Sequence, residues 1–173
     1  MIFVDGENLA IRYGAALKDK GQPPPKGVAY EPDVFVWSQS LHPHPEASSG
    51  SPAVMRKYYY TSVQGDENKI DDIAGRLKAL RFETPRVFKK DKGRRSKQVD
   101  ISLTTDMLLH AARKHYDVAV LVAGDEDYIP LVNAVRFEGA RVHVWFVSNG
   151  LSPKLRHHAD HFVDLDEFLL PEL

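Results

Sequence analysis

Residues 118–127 read Val118-Ala119-Val120-Leu121-Val122-Ala123-Gly124-Asp125-Glu126-Asp127, so that an apolar, β-branched run passes directly into a group of acids. An unbroken apolar run of this length is typical of a strand buried on both faces of a parallel sheet. The N-terminus has the same arrangement, since Ile2-Phe3-Val4 leads straight into Asp5-Gly6-Glu7-Asn8. We therefore predict two buried strands whose carboxyl ends both carry carboxylates.

Strand and helix patterns alternate along the rest of the chain. Further strands are predicted at residues 55–63, 86–88, 142–147 and 161–163. Helices are predicted at residues 8–18, 32–41, 71–80, 100–115 and 128–137. In the fourth of these helices, one stripe holds Ile101, Thr105, Leu108 and Ala112. This alternation indicates the α/β class, as a three-layer α/β/α, Rossmann-like fold with a mostly parallel central sheet.

The composition agrees with one folded domain that spans residues 1–173. The chain is 43% apolar and 27% charged, as in ordinary globular proteins, and its net charge of −1 indicates no class of partner. The absence of cysteine excludes disulfides and thiolate metal sites. No apolar run approaches the roughly 20 residues of a membrane helix. Asp5 also interrupts any signal peptide, so we expect a cytoplasmic protein without membrane partners.

Three stretches are predicted to be surface loops, at residues 21–27, 42–52 and 89–97. The first is rich in proline, and the second in histidine, proline and serine. The third holds six cations and one acid in nine residues, and it leads directly toward Asp100. Its cations are candidates for contacts with a nucleic-acid backbone, although a solvated loop would have the same composition. These candidates are Lys90, Arg94, Arg95 and Lys97.

Acids at the ends of the predicted strands point to a metal site. Ligands of open α/β sheets bind beyond the carboxyl ends of the strands, where Asp5, Asp125 and Asp127 lie. Asp100 precedes a helix and would face the same cleft if the two strands are neighbours. Clustered carboxylates repel one another, and Mg²⁺ or Mn²⁺ removes the repulsion through oxygen ligands. Taken singly, each acid is more commonly an ordinary helix N-cap, but the presence of three such acidic ends makes capping a weaker explanation for all of them.

Two further residues are candidates for supporting roles. Asn8 lies three residues after Asp5 and would orient that carboxylate or a water by hydrogen bonding. Asp106 lies six residues after Asp100 on the same predicted helix, about 120° around it. We expect Asp106 to support the site or the fold rather than to bind a metal directly.

Aromatic and histidine clusters have simpler interpretations. Tyr58-Tyr59-Tyr60 lies in a predicted strand, so core packing is favoured over stacking on bases. His157 and His161 would share one face if the helix near the C-terminus continued that far. A metal role for these histidines is the weaker interpretation.

Three segments in this order resemble one known family. They are Val4-Asp5-Gly6-Glu7-Asn8-Leu9, residues 97–106 (KQVDISLTTD) and residues 121–132 (LVAGDEDYIPLV). Together they are similar to the NYN-domain family, in its LabA-like branch, among the PIN-like nucleases. Two positions depart from the family, because Ala123 stands where serine or threonine is common and Tyr128 where phenylalanine is commoner.

The resemblance implies a PIN-like α/β/α fold and a metal-dependent nuclease site that acts on RNA. The family's catalytic and metal-binding acids fall on Asp5, Asp100, Asp125 and Asp127, with Asn8 and Asp106 as companions. The leading hypothesis is thus a Mg²⁺- or Mn²⁺-dependent ribonuclease for single-stranded RNA.

Two alternatives stay open at this point. One is a catalytically inactive module of the same fold that binds RNA or a regulatory protein. The other is a metal-dependent phosphatase for small phosphoesters, which would not need the basic loop. The apolar strands also leave a homo-oligomer open.

Overall fold

The computed structural model describes residues 1–41, 56–91 and 97–171. The strands are β1 (Ile2–Asp5), β2 (Val28–Glu31), β3 (Phe35–Ser38), β4 (Lys57–Val63), β5 (Thr84–Lys89), β6 (Val118–Val122), β7 (Arg141–Phe146) and β8 (His161–Asp164). The helices are α1 (Gly6–Lys20), α2 (Glu67–Ala79), α3 (Lys97–Ala112), α4 (Ile129–Phe137), α5 (Pro153–His158) and α6 (Asp166–Leu169). A short 3₁₀ turn, Glu126–Tyr128, precedes α4.

The central sheet has the strand order β5-β4-β1-β6-β7-β8, and each pair of neighbouring strands is parallel. Strand β1 lies in the middle, paired with β4 on one side and with β6 on the other. From β1, the sheet continues through β4 to β5 on one side and through β6 and β7 to β8 on the other. The predicted α/β/α class and the adjacency of the two acid-tipped strands are confirmed.

Both faces of the sheet are buried, which explains the unbroken apolar strands. Ile2 and Val4 point into a core shared with α1 and α2, whereas Phe3 points into a core beneath α3 and α4. Successive residues of a strand face opposite sides, so a strand covered on both sides needs apolar residues throughout. No helix within the described ranges is long and apolar enough to cross a membrane.

Tyrosines of β4 are buried, as predicted, and Tyr59 also fixes the small sheet formed by β2 and β3. The Tyr59 hydroxyl donates to the carbonyl of Val36 at 3.1 Å and accepts from its N–H at 3.0 Å. The side chains of Tyr58 and Tyr60 face the other core. Stacking of these rings on nucleic-acid bases is therefore excluded by their burial.

The helix predicted at residues 32–41 is wrong, because this segment forms the second strand of the β2–β3 hairpin. The Val34 N–H donates to the Glu31 carbonyl at 3.1 Å, which closes a tight turn with Pro32 and Asp33 in the middle. Asp33 has φ +58°, and aspartate is among the residues that tolerate this conformation. Proline thus begins a turn here rather than a helix.

Two finer predictions about helices also need correction. The stripe Ile101, Thr105, Leu108 and Ala112 does not form the buried face of α3, since Ile101 is 63% exposed. The buried side chains of α3 are Val99, Leu103, Met107 and Ala111. Both stripes have helical spacing, so periodicity could not distinguish them. The helix near His157 ends at His158, and His161 starts β8 beside His143.

The predicted loops are described only in part. Residues 21–27 connect α1 to β2 without regular structure. Residues 42–52 lie outside the described residues. Of the basic loop, Lys89 ends β5 and Lys97 begins α3, while Arg94 and Arg95 lie outside the described residues.

Among the glycines of the described residues, Gly6 has the least room for a side chain. A Cβ at Gly6 would lie 1.9 Å from Cε1 of Tyr59, whose hydroxyl is fixed by the hairpin. We predict that Gly6→Ala lowers the free energy of unfolding by at least about 1–3 kcal/mol, the usual cost of overpacking a core. Urea denaturation followed by circular dichroism measures this change.

Gly75, inside α2, provides a matched control because nothing lies within 4 Å of a Cβ added there. Gly75→Ala should stabilise the protein by about 0.5–1 kcal/mol through higher helix propensity. Equal effects of the two substitutions would contradict the close packing of Gly6 against Tyr59.

Candidate active site

A pocket opens where the carboxyl ends of β1 and β6 meet the first turn of α3. The residues that line it are Asp5, Glu7, Asn8, Val99, Asp100, Thr104, Asp125, Asp127 and Tyr128. All four acids predicted from the sequence, and Asn8, are therefore brought together. They come from three separate segments of the chain, and the parallel pairing of β1 with β6 unites two of them.

Asp5 is the most buried acid of the pocket, with 4% of its surface exposed. Its Oδ1 accepts the N–H of Asn8 at 3.0 Å, so the carboxylate also caps α1. Its Oδ2 accepts a hydrogen bond from the Tyr128 hydroxyl at 2.9 Å. Burial raises the pKa of Asp5 to about 7, since two hydrogen bonds only partly offset desolvation and the nearby charge of Asp100.

Asn8 connects the two strand ends. Its Oδ1 accepts the N–H of Gly124 at 3.2 Å, and the Gly124 carbonyl accepts the N–H of Ser152 at 2.8 Å. A Cβ at Gly124 would come within 2.5 Å of the Phe146 ring and 2.9 Å of the Gly150 carbonyl. Asn8 and Gly124 therefore hold the turn after β6 against the start of α1.

Asp125 and Asp127 occupy the turn that follows β6. Asp125 Oδ1 accepts the N–H of Asp127 at 3.2 Å and so caps the short 3₁₀ turn. Asp125 is half-buried and Asp127 is exposed, and both line the pocket. The two interpretations weighed for these acids are compatible, since a capping carboxylate still faces the pocket.

Asp100 comes from the opposite wall, in the first turn of α3. Its Oδ1 lies 3.2 Å from the hydroxyl of Tyr128, the same hydroxyl that contacts Asp5. Thr104 lines the pocket one helical turn further along. Thr104 lies four residues after Asp100, and this spacing could have predicted from the sequence that both share one face of the helix.

Glu7 is a buried lining residue that the sequence analysis left without a role. Its carboxylate accepts hydrogen bonds from the Ser62 hydroxyl and from the Lys90 ammonium. Lys90, predicted to contact RNA, therefore forms a largely buried ion pair beside the pocket. This contact joins residues 83 positions apart, so no local pattern indicates it.

Two other predicted residues lie elsewhere. Asp106 is not among the pocket residues; its Oδ2 accepts the Tyr60 hydroxyl at 2.9 Å and pairs with Arg86 Nε at 2.9 Å. It supports the packing of α3 on the sheet rather than the pocket. Lys97 is exposed at the start of α3, three residues before Asp100.

The donor set suits a hard divalent cation, although its side chains do not form a complete ligand shell as placed. Across residues 1–41, 56–91 and 97–171, no three His, Asp or Glu side chains are grouped closely enough to hold an ion. Mg²⁺ needs only one or two direct carboxylates, because waters and substrate phosphates supply its other ligands. Asp5 is buried beside the negative charge of Asp100, and a divalent cation would offset the repulsion between these two carboxylates.

The fold and the pocket define the class of protein: a PIN-like α/β/α domain with acids at the carboxyl edge of its parallel sheet. The family is settled by comparison with known sequences. The model of the NYN domain matches residues 1–166, and the chain belongs to this family.

Solved structures agree with this fold. A crystal structure of a protein of unknown function from Vibrio parahaemolyticus is similar to the chain, with a TM-score of 0.64 and 22% sequence identity. The similarity covers 97% of this chain and 93% of that one. Among curated proteins, no relative matches the sequence.

The burial of Asp5 makes a prediction about pH. The native state holds the proton of Asp5 up to a pKa of about 7, whereas an ordinary aspartate, as in the unfolded chain, loses it at 3.8. The free energy of unfolding therefore falls as the pH rises between these two values. We predict that Asp5→Asn stabilises the metal-free protein, and that the gain grows by roughly 2–3 kcal/mol between pH 5 and pH 8. Chemical denaturation in EDTA at both pH values measures it.

Asp71→Asn is the matched control, since Asp71 is exposed on α2. It should show no comparable growth of stability with pH. A gain from Asp5→Asn that is the same at pH 5 and pH 8 would contradict the raised pKa of Asp5.

Proposed function

We propose that the protein is a Mg²⁺- or Mn²⁺-dependent ribonuclease that hydrolyses phosphodiester bonds of single-stranded RNA. The observation that supports this most is the convergence of Asp5, Asp100, Asp125 and Asp127 on one pocket at the carboxyl edge of the sheet. Membership of the NYN family agrees with a nuclease-related role. We also propose that the chain lies in the LabA-like branch and acts in the cytoplasm.

The cation would be held by Asp5 and Asp100, with Asp125 and Asp127 acting directly or through water. When bound, it would neutralise these acids, polarise the scissile phosphate and lower the pKa of water. The remaining chemistry belongs to the protein. Asn8 keeps Gly124, and with it the Asp125 turn, fixed relative to Asp5. This preorganisation avoids the cost of assembling four like charges during the reaction.

The surroundings of the pocket suit a polyanionic substrate. Lys97 is exposed beside Asp100, and the predicted cations Arg94 and Arg95 precede it in the sequence. Lys90 neutralises Glu7 at the pocket wall, so a negative phosphate does not meet an unpaired Glu7 carboxylate. Cations around an acidic pocket attract the backbone while the cation compensates the acids.

The decisive experiment is cleavage of labelled single-stranded RNA in Mn²⁺, in Mg²⁺ and in EDTA. We expect cleavage with either ion and none in EDTA. Asp125→Asn should reduce the rate by roughly 100-fold or more, a typical loss for a group that stabilises the reacting charge. Circular dichroism verifies that the variant is folded.

Asp117→Asn serves as the matched control, since Asp117 is exposed before β6, at the opposite end of the sheet from the pocket. Its rate should equal that of the wild type. Loss of cleavage in the identically purified Asp125→Asn protein excludes a contaminating nuclease. Unchanged cleavage by Asp125→Asn would contradict the assigned site. Salt-sensitive RNA binding without cleavage in either ion would instead support the inactive binding module.

The basic loop makes a separate prediction about salt. Replacing Arg94 and Arg95 together by glutamine should weaken RNA binding and flatten the plot of log K against log salt by about 1.4, or about 0.7 for each lost contact with single-stranded phosphate. Filter binding at several salt concentrations measures both values. An unchanged slope would contradict the role of the loop. A phosphatase would be favoured if the wild type cleaved no RNA and if the double variant hydrolysed a small phosphomonoester at the rate of the wild type.

A further inference from the structure

Tyr128 occupies a position in the pocket to which the proposed reaction gives no role. Its ring is packed into the core beneath α3 and α4, together with Val99 and Leu131, and only 4% of the residue is exposed. Tyr128 is the last residue of the 3₁₀ turn that Asp125 caps, so its backbone is also fixed. The hydroxyl is therefore held at one place in the pocket.

That place lies between two carboxylates. The hydroxyl is 2.9 Å from Asp5 Oδ2 and 3.2 Å from Asp100 Oδ1. A phenol carries one proton, so it can donate to one of these oxygens at a time. Two carboxyl oxygens from opposite walls of the pocket thus share the single proton of this hydroxyl.

We propose that the Tyr128 hydroxyl competes with the divalent cation for Asp5 and Asp100, and so sets the cation concentration at which the site is loaded. This inference rests on the proposed function. Asp5 and Asp100 would hold the cation through the carboxylate oxygens that the phenol now contacts. In this proposal, loading the cation displaces the hydrogen bond that the phenol donates to whichever of the two carboxylates is ionised, and hydrogen bonds to ionised carboxylates are among the stronger ones in proteins.

Removal of the hydroxyl should consequently tighten cation binding. Tyr128→Phe keeps the ring that fills the core and removes only the competing donor. We expect Mn²⁺ to bind this variant roughly tenfold more tightly than the wild type, the change expected when a hydrogen bond to a carboxylate no longer has to be broken. Isothermal titration calorimetry with Mn²⁺ on metal-stripped proteins measures the affinity, independently of any RNA.

Tyr116→Phe is the matched control. The Tyr116 hydroxyl donates to the Met107 carbonyl at 2.7 Å, away from the pocket, so its loss should leave the Mn²⁺ affinity unchanged. Thermal unfolding verifies that each protein is folded.

The outcomes separate this inference from the proposed function. Equal or weaker Mn²⁺ binding by Tyr128→Phe, with RNA cleavage intact in the wild type, would overturn only the competition. Absence of Mn²⁺ binding by both proteins at millimolar concentrations would overturn the metal site and the competition together. A lower Mn²⁺ concentration for half-maximal cleavage in Tyr128→Phe than in the wild type would support both.

Discussion

The parallel pairing of β1 with β6 is the contact on which the pocket depends. It places the residue after Val4 beside the turn after Val122, although more than a hundred positions separate them. The hydrogen bond from Gly124 N–H to Asn8 Oδ1 then fixes the two strand ends to one another. Burial of apolar side chains on both faces of these strands stabilises the pairing, and thereby holds the acids together against their mutual repulsion.

This arrangement concentrates electrostatic cost at Asp5. The carboxyl is surrounded by protein, and its pKa is raised by burial and by the charge of Asp100. Glu7 is equally buried but pairs with Lys90, so the fold compensates one acid internally and leaves the other beside an open pocket. The contrast between the two carboxylates distinguishes a structural ion pair from a group placed to interact with a ligand.

The sequence indicated the strands and the acids because both signals are local. An apolar run followed by aspartate can be recognised within ten residues, as at Val118–Val122 and at Ile2–Asp5. The helix assigned to residues 32–41 failed because Pro32 suits the first turn of a helix as well as a tight turn, and the partner strand decided between them. The buried face of α3 and the Glu7–Lys90 pair depend on contacts between distant segments, which no local pattern contains.

The hydroxyl of Tyr59 has a consequence for how the protein assembles. It serves both the N–H and the carbonyl of Val36, and so replaces a neighbouring strand for one residue of the β2–β3 hairpin. A hairpin of four-residue strands is only marginally stable alone, but this one becomes fixed once β4 has joined the sheet. Hydrogen exchange at the Val36 amide therefore reports the order of assembly. This amide becomes protected from exchange only after β4, more than twenty residues away, has docked.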